Sequence, residues 1–148
     1  MTPTRAARKI SPTELAVEVR NAITRLNRRL RQTRPLGELT IAQISALQSL
    51  DAAGALTPRE LAEAERVQPP TMTKIVNKLE ERGLVQRAPH PTDGRQVILS
   101  TSPAGRAWME SYRRARDEWL ARRLGSLGAE DRETLRRAAA ILNGLAKD

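Results

Sequence analysis

Apolar residues return at steps of three and four along most of this chain, and the stretches in which they do so open on a recurring polar start signal. Leu15, Val19, Ala22, Leu26 and Leu30 make one stripe over about four helical turns. Just ahead of it, Ser11, Pro12 and Glu14 combine an N-cap, a proline at the first helical position and an acid three residues on that can reciprocate the cap. A helix is predicted from there until Pro35 and Gly37 break it. Thr40 with Gln43 repeats the signal before Ile41, Ile44, Leu47 and Leu50, a second helix that ends near Gly54. Thr57-Pro58-Arg59-Glu60 is a third copy, and it opens a short helix through Leu61 and Ala64. After a linker around Arg66 and Val67, Gln68-Pro69-Pro70 starts a fourth helix, where prolines are tolerated because first-turn amides need no intrahelical acceptor. It runs to Gly83 with Met72, Ile75, Val76 and Leu79 as its buried stripe, which leaves Thr71, Thr73, Lys74, Asn77 and Lys78 to face outward.

The period changes after Gly83. Leu84 to Ala88 and Val97 to Ser100 are short apolar or β-branched runs around Pro89-His90-Pro91-Thr92-Asp93-Gly94-Arg95-Gln96, which predicts a β-hairpin with a long exposed tip. Ser102-Pro103 restarts a helix that continues to about Leu124, and Gly125 and Gly128 punctuate. The last helix carries Leu135, Ala138, Leu142 and Leu145 at a/d spacing, a seam that wants a partner. The predicted order is four helices, a hairpin and two helices: a mainly α fold with a small β-hairpin wing, on a chain of 148 residues that fits one domain.

Composition mostly excludes. There is no cysteine and a single histidine, which removes disulfides, thiolate chemistry and any multi-histidine or Cys-based metal site. No glycine-rich phosphate loop is present and no histidine stands near a plausible serine partner, so neither an enzyme nor a cofactor is expected. No run approaches a membrane span and no secretory signal opens the chain, so a soluble cytoplasmic protein without a membrane partner is expected. Net charge is +9, which suggests a polyanionic partner. The excess is arginine at the N-terminal end: residues 1–34 carry nine basic and two acidic groups, whereas residues 57–83 carry five of each. A solvated helix face accounts for the run from Arg20 to Arg34 equally well.

The short third helix, the fourth helix and the hairpin form a winged helix-turn-helix arrangement. A helix fits the major groove with its N-terminal side chains at base edges, and a flanking hairpin reaches backbone or minor groove. Gln68, Pro70, Thr71, Thr73, Lys74, Asn77 and Lys78 are the candidate contacts on the reader helix; Gln and Asn suit adenine, Lys suits guanine or phosphate, and Thr suits phosphate or a thymine methyl. In the wing, Asp93 stands two residues before Arg95. An acid–guanidinium pair there would either hold the arginine fork for a narrow minor groove or be an ordinary loop salt bridge.

From Thr57 to Arg106 these residues resemble the MarR family of bacterial regulators. The resemblance lies in Thr57-Pro58-Arg59-Glu60-Leu61-Ala62, Pro70-Thr71-Met72-Thr73, Leu79-Glu80-Glu81-Arg82-Gly83-Leu84-Val85, the wing segment Pro91-Thr92-Asp93-Gly94-Arg95, and Ser102-Pro103-Ala104-Gly105-Arg106. The Asp-x-Arg wing followed by a short strand and Gly105 is its most specific part. His90 stands where the family frequently has an acid, and Pro69-Pro70 and Thr101-Ser102 also depart from its pattern.

Residues 1–10, polar, basic and Pro/Thr-containing without an apolar period, are expected to form a flexible arm, and 11–148 one domain similar to those of the family. Within it, the resemblance implies a helical dimerisation region at 11–34 and 101–148, and at 40–100 a winged lobe with the reader helix at about 69–82 and the wing at about 84–100. It implies a homodimer, with Leu15, Val19, Leu135, Leu142 and Leu145 as interface candidates, on double-stranded DNA with pseudo-palindromic half-sites about 10 bp apart. Such a dimer carries twice the chain's +9 and binds with steep salt dependence. It further implies a repressor, acting at the bacterial nucleoid, released by a small and often aromatic or phenolic effector held between the dimer and DNA-binding regions. Arg20 or Arg25 could pair with an effector carboxylate. Trp108, Tyr112 and Trp119, within about 40° on one helical face, could stack on its ring or simply pack the core or the interface. The competing reading is a winged-helix module that organises DNA or binds protein without sensing a ligand.

Overall fold

Three of the helices open on the same reciprocal pair of hydrogen bonds. At the start of α1 (Pro12–Gln32), Ser11 Oγ accepts the Glu14 N–H at 3.2 Å while Glu14 Oε2 accepts the Ser11 N–H at 3.0 Å. Thr40 and Gln43 repeat this for α2 (Ile41–Ala53), and Thr57 and Glu60 for α3 (Pro58–Glu65). Each box satisfies amides that have no acceptor inside the helix, so all three starts lie where the capping residues put them. The computed structural model describes residues 10–33 and 39–147. The expected arm, Ile10 apart, and the expected break at Pro35 and Gly37 lie outside the described residues.

The rest follows the predicted order: α4 (Pro69–Glu81), β1 (Val85–Pro89), β2 (Val97–Thr101), α5 (Pro103–Gly125) and α6 (Ala129–Leu145). Strands β1 and β2 pair antiparallel, with Val85 opposite Thr101 and Pro89 opposite Val97. One contact has no periodic signature in the sequence. Leu56, ahead of α3, exchanges hydrogen bonds with Leu99, its N–H reaching Leu99 O at 3.1 Å and Leu99 N–H reaching Leu56 O at 2.7 Å. This bridge ties β2 to the helix-turn-helix.

The described residues fall into two units, one from Leu39 to Asp117 and one holding α1, α6 and the end of α5 from Glu118. The first has a continuous core of Leu47 and Leu50 from α2, Leu61 from α3, Met72, Val76 and Leu79 from α4, and Leu99 from β2. Complete burial of each such side chain contributes about 1.5–3 kcal/mol. Ile75 is only partly buried and Ile41 is exposed, so each apolar stripe is narrower than its pattern implied. Met109 and Tyr112 of α5 bury in this same core, which carries the winged unit past residue 100 to Asp117. In the other unit α1 and α6 contain no buried residue at all.

Gly105 fixes where α5 begins. A Cβ at that position would lie 2.1 Å from Leu84 O and 2.8 Å from Thr101 Cγ2. Its N–H is taken by Ser102 Oγ at 2.9 Å, and the Ser102 hydroxyl donates in turn to Gly83 O at 2.5 Å. The cap expected at Ser102 thus also binds α5 to the end of α4.

Candidate nucleic-acid interface

Helices α3 and α4 both end in a pair of backbone hydrogen bonds that reverses the chain. After α4, Leu84 N–H reaches Leu79 O at 2.9 Å and Gly83 N–H reaches Glu80 O at 2.8 Å, with Gly83 in the left-handed region at φ +70°. After α3, Val67 N–H reaches Ala62 O at 3.0 Å and Arg66 N–H reaches Glu63 O at 3.1 Å. Here the left-handed residue is Arg66, at φ 53°. These are Schellman closures, and the second sets the turn of the helix-turn-helix.

All seven expected reader-helix residues are exposed. Their hydrogen bonds sort them. Thr73 Oγ1 donates back to Pro69 O at 3.0 Å, and Lys78 Nζ pairs with Glu81 Oε2 at 2.9 Å. Asn77 Oδ1 accepts from an Arg87 guanidinium nitrogen at 3.4 Å. Gln68 caps the helix through its backbone only and makes no side-chain cap bond. Thr71 and Lys74, one turn on, complete the outward polar set at the N-terminal end, where a reader helix meets base edges.

In the wing, the expected Asp93–Arg95 guanidinium pair does not form. Asp93 Oδ1 accepts the Arg95 backbone N–H at 3.1 Å and Oδ2 accepts from the Gln96 side-chain amide at 3.0 Å. Those two donors hold the Asp93 carboxyl below its ordinary pKa of 3.8. A carboxylate two residues before a backbone N–H closes an Asx-type turn more readily than it bends toward a long side chain pointing away. The Arg95 side chain is exposed, and among the described residues no ion pair engages its guanidinium. His90 is the second organiser of the tip. Its Nδ1 accepts the backbone N–H of Thr92 at 3.2 Å and of Asp93 at 3.1 Å.

Arg87 joins wing and reader helix, and neither it nor its partner Glu80 was among the expected residues, whereas its second partner, Asn77, was. Arg87 of β1 donates Nε to Glu80 Oε1 of α4 at 2.6 Å, and the Glu80 carboxylate raises the Arg87 pKa above its ordinary value. Glu80 and Arg87 stand seven residues apart across a helix end and a turn. No helical or strand period pairs them; the C-terminal closure and the hairpin register do.

The other expected residues are placed as follows. Tyr112 is 7% exposed and Trp108 stacks on it at 5.3 Å between centroids and 11° between planes, against the core. The Arg116 guanidinium lies over the Tyr112 ring at 5.3 Å, and that of Arg123 lies over the Trp119 ring at 5.1 Å. Arg20 and Arg25 are exposed on α1, where Arg25 borders a shallow open groove with Leu15 and Val19. Leu15, Leu135, Leu142 and Leu145 are exposed at 47%, 45%, 36% and 71%, and Val19 is half-buried. Among the described residues no cluster of His, Cys, Asp and Glu could hold a metal ion, and no helix is long and apolar enough to cross a membrane.

A short helix, a tight turn, a helix with a polar outer face and a hairpin bearing an exposed arginine define a winged helix-turn-helix, the DNA-binding fold of transcription regulators. The MarR family model matches residues 39–97. An HTH-type transcriptional regulator of Mycobacterium bovis is 45% identical over 135 residues, spanning 91% of this chain and 94% of that relative. The chain belongs to the MarR family. Among solved structures, a Pseudomonas aeruginosa protein described as a transcriptional regulator is similar over 99% of both chains, with TM-score 0.82 and 31% identity. A mutant of MepR from S. aureus, bound to an oligodeoxyribonucleotide, shares the fold with TM-score 0.70 and 21% identity over 88% of this chain and 97% of that one.

Proposed function

We propose that this MarR-family regulator acts as a homodimeric repressor that reads a pseudo-palindromic operator with two copies of α4 and two wings. The observation that carries the reading is the division of the interface by hydrogen bonding. Gln68, Thr71 and Lys74 at the start of α4 and Arg95 in the wing present side chains outward that, among the described residues, no ion pair or side-chain hydrogen bond ties down. Pro70 presents its ring beside them, while Thr73, Asn77, Lys78 and Asp93 contribute through groups already engaged inside the protein. MepR, of the same fold and bound to an oligodeoxyribonucleotide, supports a nucleic-acid partner. Dimerisation is supported by α1 and α6, which bury nothing and expose Leu15, Leu26, Leu135, Ile141, Leu142 and Leu145. A large apolar surface of this kind marks an interface. In this reading the protein has no catalytic step and works at the nucleoid in the cytoplasm.

Selection from random duplexes tests it. The wild-type protein enriches an inverted repeat, and Lys74→Ala changes the enriched bases within each half; enrichment of the same bases by Lys74→Ala contradicts the assignment of α4 as reader.

Release by a small aromatic effector remains part of the proposal, with Arg20 and Arg25 as the exposed cations for a carboxylate. One observation favours the ligand-insensitive alternative: the Tyr112 ring and the Trp108 face against it are already occupied, by each other and by the core. Phenolic acids that lower operator affinity in a gel-shift titration decide for the sensor.

A further inference from the structure

We infer that Arg87 is a positioning residue that couples the wing to the reader helix through Glu80 and thereby sets operator specificity; the inference rests on the DNA-reading role proposed above. Arg87 projects from β1 and bonds two residues one turn apart on α4, Glu80 at 2.6 Å and Asn77 at 3.4 Å. A planar guanidinium presents donors in a fixed fork, so one side chain holds two points of the helix at once. The pair is more shielded than the other ion pairs of the interface. Its side chains are 39% and 26% exposed, whereas those of Lys78 and Glu81 are 64% and 62% exposed. Partial burial makes a charge-assisted bond stronger than its solvent-exposed equivalents.

Two consequences follow from the geometry. The closure around Gly83 and the core side chains beneath it also join the hairpin to α4, and the Arg87 fork adds a polar link on the side where the reader helix presents Asn77. The wing arginine, Arg95, lies further along the same hairpin, and its reach into a minor groove depends on the angle the hairpin makes with α4. Asn77 is also changed. A bidentate bond to adenine needs the amide oxygen as acceptor and the amide nitrogen as donor. With Oδ1 accepting a long bond from Arg87 at 3.4 Å, the Asn77 amide is oriented by the wing, and its second oxygen lone pair and its amide nitrogen remain for a base edge.

Arg87 could otherwise serve as a direct phosphate contact, and the two roles give opposite signs on removing the Glu80 charge. The test compares fluorescence-anisotropy titrations of the wild-type, E80Q, R87K and R95A proteins and the E80Q/R95A pair. Each is titrated on the duplex that wild type selects and on a scrambled duplex of the same length, with thermal melts to normalise for folded fraction. Positioning predicts that E80Q and R87K lower the ratio of specific to scrambled affinity by about tenfold with scrambled affinity unchanged, and that E80Q costs less than about twofold further once Arg95 is gone. A mere loss of folded protein would move both duplexes together. Specific affinity that stays level or tightens in E80Q, or an E80Q effect that adds in full to R95A, overturns the coupling while the DNA reading stands. A wild-type protein that enriches no sequence overturns both.

Discussion

At the scale of single residues, two backbone positions carry opposite messages. Arg66 and Gly83 occupy equivalent places in two Schellman closures, but only Gly83 is a residue that takes positive φ without steric cost. An L-residue in the left-handed region costs about 1–2 kcal/mol, part of which glycine returns as unfolded-state entropy. Arg66→Gly is therefore expected to stabilise the winged unit by about 1 kcal/mol, read as a higher midpoint in urea denaturation. Gly105 is the reverse case. The Leu84 carbonyl that a Cβ would strike also accepts the Ser102 N–H at 2.9 Å, so it cannot retreat without losing that bond. Gly105→Ala is expected to destabilise by about 3 kcal/mol, and wild-type stability in the same denaturation would show that α5 can shift freely on the hairpin. Neither feature was legible beforehand. Arg66 reads as linker and Gly105 as a familiar helix-start glycine, because φ and the approach of a distant carbonyl are properties of the folded chain.

At the scale of elements, what the sequence foretold is what is encoded locally. Ser11/Glu14, Thr40/Gln43 and Thr57/Glu60 announced three helix starts because both partners of each hydrogen bond lie within one turn. The hairpin was legible from its prolines and Asp93-Gly94, yet its internal wiring was not. Asp93 bonds backbone and Gln96 instead of the Arg95 guanidinium, and His90 gathers two amides on one nitrogen. His90→Ala should speed hydrogen exchange at the Thr92 and Asp93 amides and weaken operator binding by about 1 kcal/mol. Unchanged exchange at both amides would remove His90 from the wing's organisation. The Leu56–Leu99 bridge and the Arg87–Glu80 bond escaped notice for a shared reason: each joins residues that only the assembled tertiary structure brings together.

At the scale of the whole molecule, charge and reading surface have separated. The chain's +9 is concentrated in residues 1–34, whereas the segment 57–83 that holds the reader helix is neutral overall. In the proposed function, net charge serves long-range attraction and a few groups on α4 and the wing serve recognition. In the proposed homodimer, the apolar residues exposed on α1 and α6 pack against a second copy. Leu142 and Leu145 are exposed in one chain, so replacing both with Asp is expected to leave each chain folded while breaking the proposed dimer. Sedimentation at micromolar concentration should show a monomer with unchanged helical content, and a persistent dimer would place the interface elsewhere.

In the proposed complex two winged units read one DNA site, each with α4 in the major groove and Arg95 in the adjoining minor groove. A hydroxyl-radical footprint on the duplex selected by the wild-type protein tests it most directly. Two equivalent protected tracts are expected about one helical turn, roughly 10 bp, apart, each flanked by a minor-groove protection that disappears in Arg95→Ala while affinity falls by about 1–3 kcal/mol. A single tract, or flanking protection and affinity that survive the loss of Arg95, would contradict it.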